Sequence, residues 1–391
     1  MPMFDFSRNL ASLSLKMKIA IDVRLLKLVP DDGISRFTRE VVKRLVNDNP
    51  GHDFVLIANN KPVWTDFSSK NWKILDSWPR ARHPLQWYYR SEFQIPAILK
   101  KEGVDVFLSP DGISSLRSTA KNVPVIHDIN FAHRPSDIPF TERNFYTHFF
   151  RKYASGATRI ITVSEFCRHD IATYYNIDPT RIDVAWNGVS EYFSPGTEES
   201  VSSFRETLTG GIPYFLFVSN FSPRKNIPGL IRAYNLFREN TGNRHKLVLL
   251  GGRLFLNSET DRLLEASPWK KDIIMPGPVL HRDLQSYYSA AEALVFPAWF
   301  EGFGIPAAES MRCGTPVILS DTSSLPEVGG EAALYSDPAD PRAICENMTR
   351  LAGDRELRAT LSVKGIQQSM KFTWENTALR VMESLEKTLE N

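Results

Sequence analysis

Short apolar, β-branched runs alternate with stretches of helical spacing along almost the whole 391-residue chain, and this alternation predicts parallel α/β layers. In the first half, strands are expected at 18–23, 53–58, 104–108, 123–126 and 159–163. Ile34, Phe37, Val41 and Leu45 mark one apolar helix face opened by Asp32-Gly33, and Ser164 is placed to cap a helix running to Tyr175. The second half repeats the pattern, with strands expected at 214–218, 246–250, 273–275, 293–296 and 316–319. Between the halves, 193–212 reads FSPGTEESVSSFRETLTGGI, a linker or an exposed first helix. At the end, Trp374, Ala378, Val381, Met382, Leu385 and Leu389 form an amphipathic helical stripe. The expected organisation is an extension (1–16), two Rossmann-like doubly wound domains (17–200 and 201–371) facing across a cleft, and a terminal helix (372–391). Doubly wound sheets bind ligands at the carboxyl ends of their strands, so the cleft is where chemistry is expected.

Composition narrows the function. Hydrophobic residues are 42% and charged residues 24% of the chain, which excludes a disordered or collagen-like protein. The surplus of 47 basic over 45 acidic residues, +2, is too small for a chain whose surface grips nucleic acid. Cys167, Cys313 and Cys345 are too scattered for a disulfide framework or a zinc site, which suits a reducing cytoplasm. No run approaches the roughly 18 to 20 apolar residues that span a bilayer. The first sixteen residues lack the basic and apolar regions of a signal peptide.

The most informative segment runs from Pro297 to Glu309, PAWFEGFGIPAAE, after an apolar strand. Pro306 suits the first turn of a helix, and Gly302 and Gly304 just before it leave backbone N–H groups beside the positive end of a dipole. Two readings stand open: an anion site, or a plain strand-to-helix turn with Glu309 favoured in the first turn by the dipole. A glycosidase pair is disfavoured, because eight intervening steps of helix would part Glu301 and Glu309 by about 12 Å, against roughly 5 to 9.5 Å. Arg224 and Lys225 follow the strand YFLFV and suit an anionic leaving group such as a diphosphate; the alternative is a solvated turn. His127-Asp128 ends the strand VPVI, and Asp31-Asp32-Gly33 closes the loop after the first strand.

These residues sit in longer phrases: DDGISRF, VPVIHDI, IITVSEFCR, WNGV, SPRKN, EGFGIPAAESMRCGTPVI and SSLPEVGGEAAL. Together they resemble the GT-B glycosyltransferases of family 4, the retaining group with an E-x7-E motif, here Glu301 and Glu309, over about residues 17 to 385. The phrasing is most similar to bacterial mannosyltransferases of O-antigen and other surface polysaccharide assembly.

The resemblance implies a nucleotide-diphosphate-sugar donor on the C-terminal domain and an acceptor on the N-terminal one. Glu301 would contact sugar hydroxyls and Glu309 the ribose. Lys225, with Arg224, would bind the phosphates, and the backbone of Gly302, Phe303, Gly304 and Ile305 would hold sugar and diphosphate. Gly33 would line the phosphates from the opposite domain, and His127 would lie near the transferred sugar and the acceptor hydroxyl. Retention would follow front-face attack, a donor phosphate oxygen taking the acceptor's proton, with no protein nucleophile. Many relatives carry a Gly-Arg pair where this chain has Ser219-Asn220. No D-x-D sequence is present, so no metal and no cofactor are expected. The terminal helix would return to the N-terminal domain. The implied reaction moves a hexose, mannose from GDP-mannose, to a glycan or lipid-linked glycan; a UDP- or dTDP-sugar donor, a silent scaffold subunit, and a nucleotide-sugar hydrolase or epimerase are the alternatives. Trp64, Trp72, Trp78, Trp87, Tyr88 and Tyr89 interleave with Lys70, Lys73, Arg80, Arg82, Arg90, Lys100 and Lys101, a composition that suits either peripheral contact with the inner face of the cell membrane or an aromatic domain edge.

Overall fold

Strands buried on both faces need helices on both sides, and the apolar runs of this chain are arranged in that way. The computed structural model describes residues 16–26, 32–59, 66–78, 83–252 and 258–390. Residues 1–15, Asp31, Trp64, Arg80 and Arg82, named above, lie outside the described residues. The first sheet comprises β1 (Lys18–Asp22), β2 (Asp53–Ala58), β3 (Trp72–Asp76), β4 (Val106–Ser109) and β5 (Lys121–Pro124), all parallel, in the order β3-β2-β1-β4-β5. A bridge from Val125 to Ile161 carries the ladder on to the pair β6 (Ile160–Thr162) and β7 (Ile182–Val184). The second sheet holds β8 (Tyr214–Val218), β9 (Lys246–Leu250), β10 (Ile273–Gly277), β11 (Ala293–Phe296), β12 (Val317–Ser320) and β13 (Ala333–Ser336) in the parallel order β10-β9-β8-β11-β12-β13. Both sheets are doubly wound, and each reverses beside its first strand: between β1 and β4, and between β8 and β11.

Local chemistry sets the helices that frame the cleft. Asp32 caps the helix Gly33–Asp48 by accepting from Ser35 N at 2.7 Å, and Phe37, Val41, Val42, Leu45 and Val46 bury its apolar stripe. Ser164 caps Glu165–Tyr175, as its position predicts. Of the two readings of 193–212, the helix is the one observed: Glu198–Thr209 packs on Leu284–Ala290 of the second sheet's helices, and Arg205 Nη2 donates to Ala290 O at 2.7 Å. The chain has therefore reached the second unit by Glu198.

The terminal helix Trp374–Glu390 does cross back, packing against Gly33–Asp48 and accepting from Lys121 Nζ at Thr388 O, 2.6 Å. One buried apolar cluster runs from the first sheet through Trp374, Val381 and Leu385 into the second.

Candidate active site

Two loops meet at the reversal point of the second sheet. The first, after β8, makes a tight turn at Pro223–Lys225 and enters the helix Ile227–Thr241 through Asn226, whose left-handed backbone (φ 55°) is tolerated because its side chain caps Gly229 N. The second, after β11, runs from Pro297 to Gly304. Trp299 N donates to Arg224 O at 2.8 Å, tying one loop to the other. Arg224 Nη1 then reaches Phe300 O and Glu301 Oε1, each at 2.9 Å, and Lys225 Nζ bonds the same carboxylate oxygen. The Glu301 backbone is fixed on both sides, its N–H donating to Ser323 Oγ and its carbonyl accepting from Ser324 Oγ.

This cluster is almost dry: Glu301 is 6% and Lys225 4% exposed. Burial, with Arg224 alongside, pushes the Lys225 ammonium down to about 8 despite Glu301. Burial opposes ionisation of Glu301 as well, but the Arg224 and Lys225 cations prevail and hold its carboxyl below the ordinary range.

The first sheet's unit closes directly onto this loop. A Cβ at Gly302 would stand 2.6 Å from His127 O, so only glycine permits the approach. Ser164 Oγ and Cys167 Sγ donate to Gly302 O at 2.7 and 3.3 Å. His127 is partly buried, edge-on to Phe37 at 4.9 Å between centroids, and desolvation lowers its pKa. Its Nε2 lies 2.8 Å from Pro110 O, which can only accept, so the neutral ring carries its proton there and leaves Nδ1 as an acceptor. Glu327 adds a third link across the units, accepting from Glu165 N, Phe166 N and Trp186 Nε1.

Glu309 forms a second charged group. The helix Ile305–Arg312 begins after Gly304 (φ 98°) with no acid in its first turn, so the dipole does not account for Glu309, which stands one turn in. Tyr288 OH donates to its Oε2 at 2.9 Å, while His281 Nε2 (2.8 Å) and Arg36 Nη1 (2.9 Å) both meet Oε1. Against the cost of burial, His281 and Arg36 keep this carboxyl below its usual range. Arg36 comes from the opposite unit, as does Gly33, where a Cβ would be 3.4 Å from Ile305 Cδ1.

The structure thus joins Arg224, Lys225, Glu301, Gly302 and His127 in one cluster, and Gly33, Ile305 and Glu309 in a neighbouring one. Phe303 is buried edge-on to Phe372, 5.2 Å between centroids. Arg36, His281, Tyr288, Ser323 and Ser324 were not singled out by the sequence; Arg36 sits within DDGISRF without a spacing that marks it.

Two doubly wound units close over buried carboxylates paired with cations, and two family models say what class of protein this is. "Glycosyltransferase Family 4" matches residues 32–191 and "Glycosyl transferases group 1" matches 200–368. The chain belongs to this GT-B glycosyltransferase family. It is 32% identical over 263 residues to the O-antigen chain mannosyltransferase B of Escherichia coli, covering 67% of this chain and 69% of that one. It is 29% identical over 256 residues to the serotype-specific mannosyltransferase WbdA of the same species, covering 64% of this chain and 31% of that longer protein. Among solved structures, the sucrose-phosphate synthase of Thermosynechococcus elongatus superposes with a TM-score of 0.76 at 20% identity, over 96% of this chain and 99% of that one.

Proposed function

We propose that this protein moves mannose from GDP-mannose, with retention of configuration and without a metal ion, onto a glycan or lipid-linked glycan of a bacterial surface polysaccharide. The observation that carries the reading is the buried Lys225–Glu301 pair, joined by the partly exposed Arg224, at a sheet reversal point, with neutral His127 held against its loop. Two cations and one carboxylate leave a net positive charge to meet a departing nucleoside diphosphate, and preorganised charge in a dry site is a large catalytic term. The N–H groups entering Ile305–Arg312 add dipole to the same end. On the front face, the acceptor oxygen bonds to the sugar's anomeric carbon as the bond to the diphosphate breaks. The acceptor's proton passes to a donor phosphate oxygen. Glu301 orients sugar hydroxyls, Glu309 the ribose, and His127 the reacting edge. The names of the O-antigen relatives support mannose and a polysaccharide acceptor.

Peripheral membrane contact on the cytoplasmic side is part of the proposal. A groove of about 680 Å³ between Pro84–Tyr89 and Phe140–Gly156 is lined by Leu85, Tyr88, Phe145 and Phe149. Arg143 and Arg117 lie 5.1 and 4.5 Å over the nearby Phe140 and Phe93 rings. Apolar side chains rimmed by cations suit an anionic bilayer carrying a lipid-linked acceptor. Among the described residues, no helix is long and apolar enough to cross a membrane.

The test is calorimetry with GDP, UDP and dTDP, followed by transfer from GDP-mannose in EDTA with NMR assignment of the product anomer. Selective GDP binding, weakened in Lys225→Ala, and an axial product are expected. Selective binding of UDP or dTDP moves the donor to that base, and binding of none turns the chain into a silent scaffold.

A further inference from the structure

Glu309 has more donors than a ribose can share. An ionised carboxylate offers about four lone-pair sites, and Tyr288, His281 and Arg36 already fill three. If Glu309 takes both hydroxyls of a ribose, as the proposed donor requires, one present donor must leave. Tyr288 is fully buried on the same unit as Glu309, and His281 is packed edge-on to Phe193 at 5.1 Å. Arg36 alone of the three is anchored on the other unit, so it alone can withdraw when the units shift. Its side chain is only 16% exposed, and a guanidinium so enclosed needs another anion at hand.

We propose that Arg36 exchanges Glu309 for the donor's diphosphate, serving as a phosphate-binding cation supplied from across the cleft. Charge supports the exchange. Arg224, Lys225 and Glu301 sum to a single positive charge, Arg36 with Glu309 to none, and a nucleoside diphosphate sugar brings two negative charges. Released from Glu309, Arg36 supplies the second positive charge. Its position fits: it stands one turn inside Gly33–Asp48, and helical side chains lean back toward the N-terminus, here the Gly33–Ile305 junction where the two helix starts meet. A planar fork can bind phosphate through two parallel bonds. Donor binding then frees Glu309 for the ribose and re-secures the two units through the ligand.

The experiment is a phosphate ladder: binding of GDP, GMP and guanosine to the wild type, Arg36→Lys and Arg36→Gln, with unliganded melting curves as a check on folding. Arg36→Gln is expected to bind GDP on the order of ten- to a hundredfold more weakly, as befits a lost charged hydrogen bond. Guanosine should bind unchanged or tighter, since Glu309 is freed, and Arg36→Lys should recover part of the GDP affinity. Equal or tighter GDP binding by Arg36→Gln would show Arg36 to be only a cover for Glu309 and overturn the assignment. So would an equal loss for GDP and guanosine. These outcomes leave the donor reading intact. If the wild type prefers UDP or dTDP, the corresponding ladder is used; if it binds none of the three, the donor reading falls and the assignment falls with it.

Discussion

Lys225 gives the site a titration that ordinary lysines lack. With its pKa near 8 rather than the usual 10.5, the unliganded protein loses this cation at moderately alkaline pH. A group required in charged form, titrating at about 8, should cut kcat/KM about tenfold between pH 7 and pH 9, whereas a lysine at its usual value would cost only a few per cent. Other shifted groups of the site act elsewhere: burial raises the Cys167 thiol and the Tyr288 phenol and lowers His127. The assay is initial-rate transfer at sub-saturating donor from pH 6 to about pH 9.5, over which the donor diphosphate stays fully ionised, for the wild type and Lys225→Arg. The arginine variant remains charged and should show no alkaline fall, whatever its absolute rate. A wild-type profile flat to pH 9.5, or the same fall in Lys225→Arg, would refute the argument that this ammonium acts as the charge.

Glu301→Gln should retain the fold, lose transfer by on the order of a hundred- to a thousandfold, and move the alkaline fall to lower pH, because Arg224 is then left unopposed beside Lys225. Trp374→Ala should cost about 3–5 kcal/mol in urea unfolding, since the indole is 2% exposed between the two units, and truncation after Phe372 should lower the melting temperature further. Glu309 has a folded pKa below its ordinary 4.5, so its stabilisation is complete above that value and lost as pH falls through the lower one. The melting-temperature gap between the wild type and Glu309→Gln should accordingly narrow in acid. Leu85→Glu with Phe140→Glu should reduce cosedimentation with anionic vesicles at low salt; binding equal to wild type would remove the groove from membrane contact.

The interior of the fold was legible because central strands such as FVLIA and ALVF are apolar on both faces and caps such as Ser164 act locally. Three strands escaped notice for physical reasons. β3 is a half-exposed edge with polar residues interleaved, while β13, with four residues, and β7, with three, are too short to set a period. At the site, Glu301, Glu309 and Lys225 stood out because they lie in loops whose phrasing is distinctive. The partners of Glu309 did not, since Arg36 lies 273 positions from it, and nothing in a helix's spacing reports which carboxylate of another unit it will meet. His127 was legible as a strand end, but its tautomer depends on Pro110, a contact only the folded chain creates.

The chain passes between the two units twice, and the passages lie side by side: Val189 N donates to Phe372 O at 3.1 Å, and Thr377 Oγ1 to Trp186 O at 2.6 Å. Two neighbouring tethers permit a swing about the line that joins them and resist sliding. Since Gly302 rests on His127 with no room for a methyl group, a swing about that line opens the cleft at this contact first. The stiffness of that swing is set at the joint, where Trp374 packs against Gly188 with no room for a Cβ, and not by the charged groups of the cleft.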